Sequence, residues 1–215
     1  MSEAWHRVHP LAGVLAALAR AISGASVRWL DSRPEPRQRI YFANHSSHLD
    51  VVVLWAALPP ELRASTRPVA AQDYWDRGRL RRFLAARVFR AVLIERNPGA
   101  GAGRVAAATR SIERLTAAID AGDSLIVFPE GTRGTGEQVA PFKSGLFHLC
   151  RVRPGVELLP VYLENLNRIL PKGEVLPVPM LSRVTFGPPL QREPEEPRAA
   201  FLERTRAALV RLRER

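Results

Sequence analysis

The sequence predicts an α/β domain: a single mostly parallel or mixed central sheet flanked by helices, with an amphipathic helix at the N-terminus. Three observations predict it. Short apolar runs closed by turn residues alternate with longer segments of helical period. The 215 residues, 46% hydrophobic and 25% charged, suffice for one domain with a full core. No internal repeat breaks the alternation. The expected organisation is an N-terminal helical segment over 1–30 and a main domain over 31–215.

The elements follow in order. Leu11, Val14, Leu15, Leu18 and Ile22 recur at helical spacing and mark an amphipathic helix. After Pro34-Glu-Pro36, the run Arg39–Ala43 reads as a strand, and the polar Asn44–Leu49 as a loop. Asp50 suits the start of a helix carrying Val51–Leu58, stopped by Pro59-Pro60. Val69–Ala71 is a short strand, Asp76–Val88 a helix and Ala91–Ile94 a strand. The best helix has Val105, Ala108, Ile112, Leu115 and Ile119 on its buried face and ends near Gly122. Ser124–Phe128 is a buried strand running into a loop, Phe142–Cys150 a helix, and Glu157–Leu163 and Arg183–Phe186 are strands. Pro171–Pro197 is proline-rich and irregular, and Arg198–Arg213 is a basic closing helix.

Composition narrows the partners. The formal charge is +11, and of 32 cationic residues only Lys143 and Lys172 are lysines. Such a surface favours polyanions: nucleic acid, anionic lipid or phosphorylated metabolites. Cys150 is the only cysteine, which excludes an internal disulfide framework. Residues 1–10 do not read as a secretory signal, and the early apolar stretch Leu11–Ala19 stops at Arg20, short of the ~20 residues a spanning helix needs.

Chemistry concentrates after predicted strands, the edge of a parallel sheet where ligands bind. In His45-Ser-Ser-His-Leu-Asp50, a carboxylate that fixes an imidazole's tautomer would make His45 a base. The pair works only with His45 on the incoming loop and Asp50 in the first helical turn, since five residues on a regular helix separate two side chains by roughly 140°. Other readings of this segment are a zinc site with His48, a hydrolase nucleophile at Ser46 or Ser47, and simple helix capping. Phe128-Pro-Glu-Gly-Thr-Arg133 gathers backbone amides, a hydroxyl and a guanidinium in one turn, the donors an anion requires. Glu130 would orient Arg133 or hold a substrate hydroxyl; a surface Arg–Glu turn is the plainer reading. Arg96 ends a third strand, and Lys143 lies near a helix start.

Together these segments resemble the glycerolipid acyltransferase family, the lysophosphatidic acid acyltransferase group in particular. The resemblance covers roughly Arg39 to Leu190. It rests on Asn44-His-Ser-Ser-His-Leu-Asp50, Ala91-Val-Leu-Ile-Glu-Arg96, Phe128-Pro-Glu-Gly-Thr-Arg133 with Pro141-Phe-Lys-Ser-Gly145, and Leu159-Pro-Val161. The second motif departs from the family at Arg90, where a glycine is usual, and at Leu93 and Glu95. The resemblance implies acyl transfer from an acyl-CoA or acyl carrier protein thioester to the hydroxyl of a lysophospholipid such as 1-acylglycerol 3-phosphate, with no metal or other cofactor. It implies His45 as base and Asp50 as its partner. Ser47, Arg96, Glu130, Gly131, Thr132 and Arg133 would hold the acceptor, Lys143 would assist, and Pro160 would shape a wall near the acyl chain. A lyso-ornithine or other lysolipid is an alternative acceptor.

From Arg77 to Arg96 seven arginines stand against one glutamate, with Leu80, Phe83, Leu84 and Val88 among them. A basic amphipathic helix reads as a membrane-surface element. Peripheral or monotopic attachment at the cytoplasmic face of the cell membrane is therefore expected. A nucleic-acid binder would explain the charge, yet no helix-turn-helix, zinc or RNP-type signature supports it, and it leaves His45, Asp50 and the Glu130–Arg133 loop without a purpose.

Overall fold

The alternation folds into one seven-stranded sheet with helices on both faces. The computed structural model describes residues 9–95, 101–170, 178 and 180–215. In chain order the elements are α1 (Leu11–Ser23), β1 (Ser26–Trp29), β2 (Arg39–Ala43), α2 (Asp50–Ala57), α3 (Pro60–Ala64), β3 (Thr66–Ala71), α4 (Gln72–Trp75) and α5 (Arg79–Phe83), which continues as a π-helical turn, Leu84–Val88. Then come β4 (Val92–Ile94), α6 (Ala102–Asp120), β5 (Ser124–Val127), α7 (Gly145–Val152), β6 (Glu157–Glu164), α8 (Leu166–Ile169), β7 (Arg183–Phe186), α9 (Arg198–Arg211) and a 3-10 turn, Leu212–Glu214.

The strand order is β1-β7-β6-β2-β5-β3-β4. Five neighbouring strands, β6 to β4 in that order, run parallel; β7 is antiparallel to β6, and β1 runs parallel to β7 at the edge. The sheet is mixed and largely parallel, as expected. Covering both faces of a parallel sheet demands strands apolar on both sides. β2 meets that demand: Ile40, Tyr41, Phe42 and Ala43 are all fully buried. Ile40 and Phe42 join Leu125, Leu158, Leu115, Leu149 and Phe201 on one face, while Tyr41 and Ala43 join Ile126, Leu159, Val161 and the residues of α1 and α2 on the other. Thr66–Pro68 pairs with β5 and Val69–Ala71 with β4. The ladder therefore changes partner just after Pro68, which has no N–H to donate.

Several expectations are revised. α1 buries Ala12, Ala16, Ala19 and Ser23 against α2 and leaves Leu11, Val14, Leu18 and Ile22 exposed. Small residues let the two helices approach closely, so the alanine stripe wins the contact. After α1 the chain enters β1, which pairs with β7, and Ala12, Ala16, Ala19 and Trp29 pack in the same core as β2 and β6. The helix expected over Asp76–Val88 begins only at Arg79, after Gly78, whose φ of +95° turns the chain between α4 and α5. α6 exposes Val105 and Ala108 and buries Ala107, Leu115, Ala118 and Ile119, so its first turns project beyond the sheet. α2 ends at Ala57, ahead of Pro59-Pro60 as expected, and Pro60 also opens α3, the position where proline suits a helix start.

Arg90 takes the place of a glycine in the second motif and adopts the glycine's conformation, φ +50°. The side chain offsets that backbone cost. Its guanidinium bonds the Ala64 carbonyl at 3.0 Å and the buried Asp123 carboxylate at 3.2 Å, which Arg67 also contacts at 3.2 Å. Asp123 directly precedes β5, so this network sits at the amino end of the strands, opposite the site described below.

Candidate active site

β2, β3 and β5 all deliver their following loops to the same edge of the sheet. After β2, the Asn44 side chain bonds both backbone groups of Leu163: its amide donates to the carbonyl at 2.9 Å, and its oxygen accepts from the N–H at 2.7 Å. That double bond fastens the loop to β6. His45 follows, and its backbone is held from the far side. Its N–H donates to Glu130 Oε1 at 2.7 Å, and its carbonyl accepts from Gly134 N–H at 2.8 Å.

The imidazole and the carboxylate meet. His45 Nδ1 lies 2.8 Å from Asp50 Oδ2. The same oxygen accepts from the N–H groups of Ser46 at 2.6 Å and Ser47 at 2.8 Å. Asp50 is fully buried at the first residue of α2, where the helix end also favours negative charge. An ionised carboxylate only accepts, so Nδ1 carries the proton and Nε2 presents its lone pair. The ring packs on Phe128, with centroids 4.4 Å apart, and its side chain remains 20% exposed. His45 is thus oriented by one nitrogen and remains partly exposed.

The loop after β5 supplies the other wall. Gly131, at φ +68°, lies directly beneath the Lys143 side chain: a Cβ there would sit 2.7 Å from Lys143 Cδ and 2.8 Å from Nζ. Glycine is therefore required for Lys143 to lie across the turn. Lys143 is exposed, as is Thr132, and Arg133 is half-buried near enough to His48 for its charge to depress that imidazole's pKa. The largest cause of the His48 shift is burial.

Not every expected substrate contact is available. Both Glu130 oxygens are taken by backbone, Oε1 by His45 and Oε2 by Ala140 N–H at 2.8 Å, in a side chain only 3% exposed. Glu130 braces the His45 loop rather than reaching for an acceptor. Burial is the chief cause of its raised pKa, opposed by those two N–H groups. Ser47 is likewise buried, with its hydroxyl donated to the Leu170 carbonyl at 3.0 Å, so it serves neither as nucleophile nor as substrate contact. Pro160 sits in the middle of β6, its ring against Gly187, which also abuts Leu212. That is core packing rather than the wall of a groove. Arg96 lies outside the described residues. Among the described residues no group of three or more His, Cys, Asp or Glu side chains is placed to hold a metal ion.

One part of the site was missed in the sequence. Tyr74, on α4 directly after β3, stacks on His48 with centroids 5.0 Å apart and 22° between planes, and Arg81 of α5 lies over Tyr74 at 4.6 Å. The available signal was position: Tyr74 follows a predicted strand, as His45 and Glu130 do.

The fold and the site define an α/β protein that holds a histidine–aspartate pair at the carboxyl edge of its parallel strands. The chain belongs to the acyltransferase family, whose model matches residues 25–164. It is 32% identical over 133 residues to the 1-acyl-sn-glycerol-3-phosphate acyltransferase of Salmonella typhimurium, covering 59% of this chain and 46% of that protein. Against the Escherichia coli enzyme of the same name it is 31% identical over 143 residues, 60% of this chain and 51% of the other. With the Limnanthes douglasii enzyme, again of that name, identity is 28% over 189 residues, covering 84% and 60%. The chain spans about half the length of the bacterial relatives it matches. The crystal structure of the 1-acyl-sn-glycerophosphate acyltransferase of Thermotoga maritima superposes with a TM-score of 0.68 at 23% identity, over 95% of this chain and 80% of that one, and shares the fold.

Proposed function

We propose that this chain transfers a fatty acyl group from a thioester donor, acyl-CoA or acyl carrier protein, to the free hydroxyl of a lysophospholipid. The acceptor that fits best is 1-acylglycerol 3-phosphate, giving phosphatidic acid for phospholipid synthesis. The observation that carries the reading is the buried Asp50 carboxylate on Nδ1 of a His45 side chain that stays 20% exposed. An alcohol attacks a thioester poorly until a base takes its proton, a contribution of typically 10²–10⁴-fold. His45 Nε2 accepts the acceptor's hydroxyl proton as the oxygen bonds to the thioester carbon. Asp50 steadies the imidazolium that forms. The carbon–sulfur bond then breaks, and the imidazolium returns the proton to the departing thiolate. The thioester is already activated, so the chemistry needs no metal and no covalent enzyme intermediate.

Arg133 holds the acceptor's phosphate, with Lys143 and Thr132 beside it on the Gly131 turn; a guanidinium matches a phosphate by its planar fork of donors. Arg96, by its place in the second motif, is proposed to join them. The Salmonella typhimurium, Escherichia coli and Limnanthes douglasii relatives, all 1-acyl-sn-glycerol-3-phosphate acyltransferases, support this acceptor.

No helix among the described residues is long and apolar enough to cross a membrane. Contact with the bilayer is proposed to run through two apolar edges. Leu11, Val14, Leu18 and Ile22 of α1 are exposed, as are Leu80 and Phe83 of α5 amid arginines 79, 81, 82 and 87. His9, just ahead of α1, packs edge-on against Phe83 at 5.4 Å, so the two edges adjoin. Each such arginine near an anionic surface adds about 1 kcal/mol of attraction. We place this attachment at the cytoplasmic face of the cell membrane, as a peripheral or monotopic association.

The test is acyl transfer from labelled acyl-CoA and acyl carrier protein to a panel of lysolipids, with glycerol 3-phosphate included. Label in phosphatidic acid is the expected result. Label confined to a phosphate-free lysolipid would move the reading to another acceptor, and no labelled lipid would refute it.

A further inference from the structure

Resting on the acyl-transfer reading above, we propose that Arg81, positioned by Tyr74 and His48, is a second guanidinium on the acceptor's phosphate and sets the enzyme's preference for a phosphate monoester. Three strand-end loops bring these groups together. His48 comes from the loop after β2, Tyr74 from α4 after β3, and Arg133 from the loop after β5. The turn at Gly78 carries the chain from α4 back, so that Arg81 lies over the Tyr74 ring, which is itself stacked on His48.

Among the described residues Arg63 over Trp55, Arg81 over Tyr74 and Arg192 over Phe147 rest on aromatic faces, and of these rings Tyr74 is the one stacked on a histidine of the loop after β2. Arg39, Arg67, Arg90, Arg110, Arg153 and Arg204 are fixed by carboxylates. Arg81 is fixed by an aromatic face, and among the described residues neither it nor Arg133 has an ion pair. A guanidinium stacked on a ring keeps its N–H edge for another partner. Gly134 N–H bonds the His45 carbonyl at 2.8 Å, which sets Arg133 beside the loop that carries His48, where the charges of Arg133 and Arg81, as well as that of Asp50, act on the imidazole. Like charges gathered about one ring repel each other, and an anion between them relieves that repulsion.

The chemistry of the acceptor supplies that anion. In 1-acylglycerol 3-phosphate the reacting hydroxyl and the phosphate stand on adjacent carbons. A hydroxyl at His45 Nε2 therefore brings the phosphate to the side chains next to it, and His48 lies three residues on. The monoester dianion takes Arg133 from the glycine turn and Arg81 from α5, with the neutral His48 as a further donor. This gives Arg81, exposed like its neighbours but seated over the Tyr74 ring, a task separate from that of Arg79, Arg82 and Arg87 on the same stretch, which serve the bilayer surface.

The experiment measures steady-state kinetics in neutral detergent micelles, which removes attraction to an anionic bilayer. Arg81→Gln is expected to raise the KM for 1-acylglycerol 3-phosphate by about 10–100-fold, the size of one charge-assisted hydrogen bond. The kcat and the KM for acyl-CoA should stay close to wild type, and competitive inhibition by glycerol 3-phosphate should weaken in parallel. Arg81→Lys should recover part of the loss. Tyr74→Ala should reproduce it and Tyr74→Phe, which keeps the ring, should recover most of it. Arg151→Gln, at an exposed position on α7, is the control for charge alone and should leave both KM values in place. A rise in the acyl-CoA KM instead, or weaker sedimentation with anionic vesicles at unchanged micellar kinetics, would overturn the assignment. If wild-type protein makes phosphatidic acid and Arg81→Gln is normal, this inference alone fails. If wild-type protein makes none, the reading of the reaction fails and this inference falls with it.

Discussion

Asp50→Asn separates the electrostatic part of the site from its scaffold. Asp50 is fully buried, and its Oδ2 faces three donors: His45 Nδ1 and the N–H groups of Ser46 and Ser47. An asparagine must keep its carbonyl there, because an NH₂ group would confront three donors. Its amide then occupies the Oδ1 position, where the structure offers no hydrogen-bond partner. That orphaned amide costs about 1–3 kcal/mol, offset by the relief of no longer burying a charge. Geometry and fold therefore survive, with a Tm change within about 10 °C at ~2–4 °C per kcal/mol. What disappears is the attraction between carboxylate and imidazolium. With charge centres ~4 Å apart and an effective dielectric of ~20 it amounts to about 4 kcal/mol, or roughly 10³ in kcat. The assay pairs thermal unfolding with kcat for acyl transfer. A folded Asp50→Asn protein with near-wild-type kcat, or one whose defect lies wholly in the acceptor KM, would refute the reasoning.

The remaining predictions address other groups. Glu130→Ala strips the acceptor from the His45 and Ala140 N–H groups, at about 1–3 kcal/mol each, so Tm should fall by roughly 2–4 °C per kcal/mol; a raised acceptor KM at unchanged Tm would return Glu130 to the substrate. Cys150 is 2% exposed, and burial pushes its thiol up to about 12, so at pH 8 only about 10⁻⁴ is thiolate. Iodoacetamide should spare the native protein and label it in denaturant, and rapid native labelling would contradict this. Burial, then the charges of Arg133, His45 and Arg81, lowers the pKa of His48 below 6.5. Between its folded and unfolded values the unfolded chain binds more protons. The stability His48 contributes is therefore present above ~6.5 and lost as pH falls through the lower folded value. Denaturant titrations from pH 7 to 5 should show a smaller loss in His48→Gln than in wild type, and parallel losses would count against it.

Local pattern made much of this legible. The apolar runs of β2, β5 and β6 announce strands buried on both faces, and β2 falls at Arg39–Ala43 as read. The His45–Asp50 pair was also readable, because both partners lie in one short loop and helix start. The stripe α1 buries was not, since leucines and alanines both recur at helical spacing and only the closeness of α2 selects the alanines. The bracing contacts of Glu130 were not legible for a different reason: its partners are backbone N–H groups distant in sequence, which side-chain patterns do not reveal. The contact between Tyr74 and His48 likewise depends on β3 and β2 ending at the same edge, with β5 between them. Arg90 shows the converse, a departure from the motif that the structure explains through its bonds to Asp123 and Ala64.

The most direct measurement is the single-turnover rate of labelled acyl-CoA with saturating 1-acylglycerol 3-phosphate in His45→Ala, on protein whose folding is verified by thermal unfolding. An imidazole that takes the hydroxyl proton predicts a rate lower by at least about 10², with acceptor still bound. Phosphatidic acid formed at the wild-type rate by that folded variant would mean another group removes the proton.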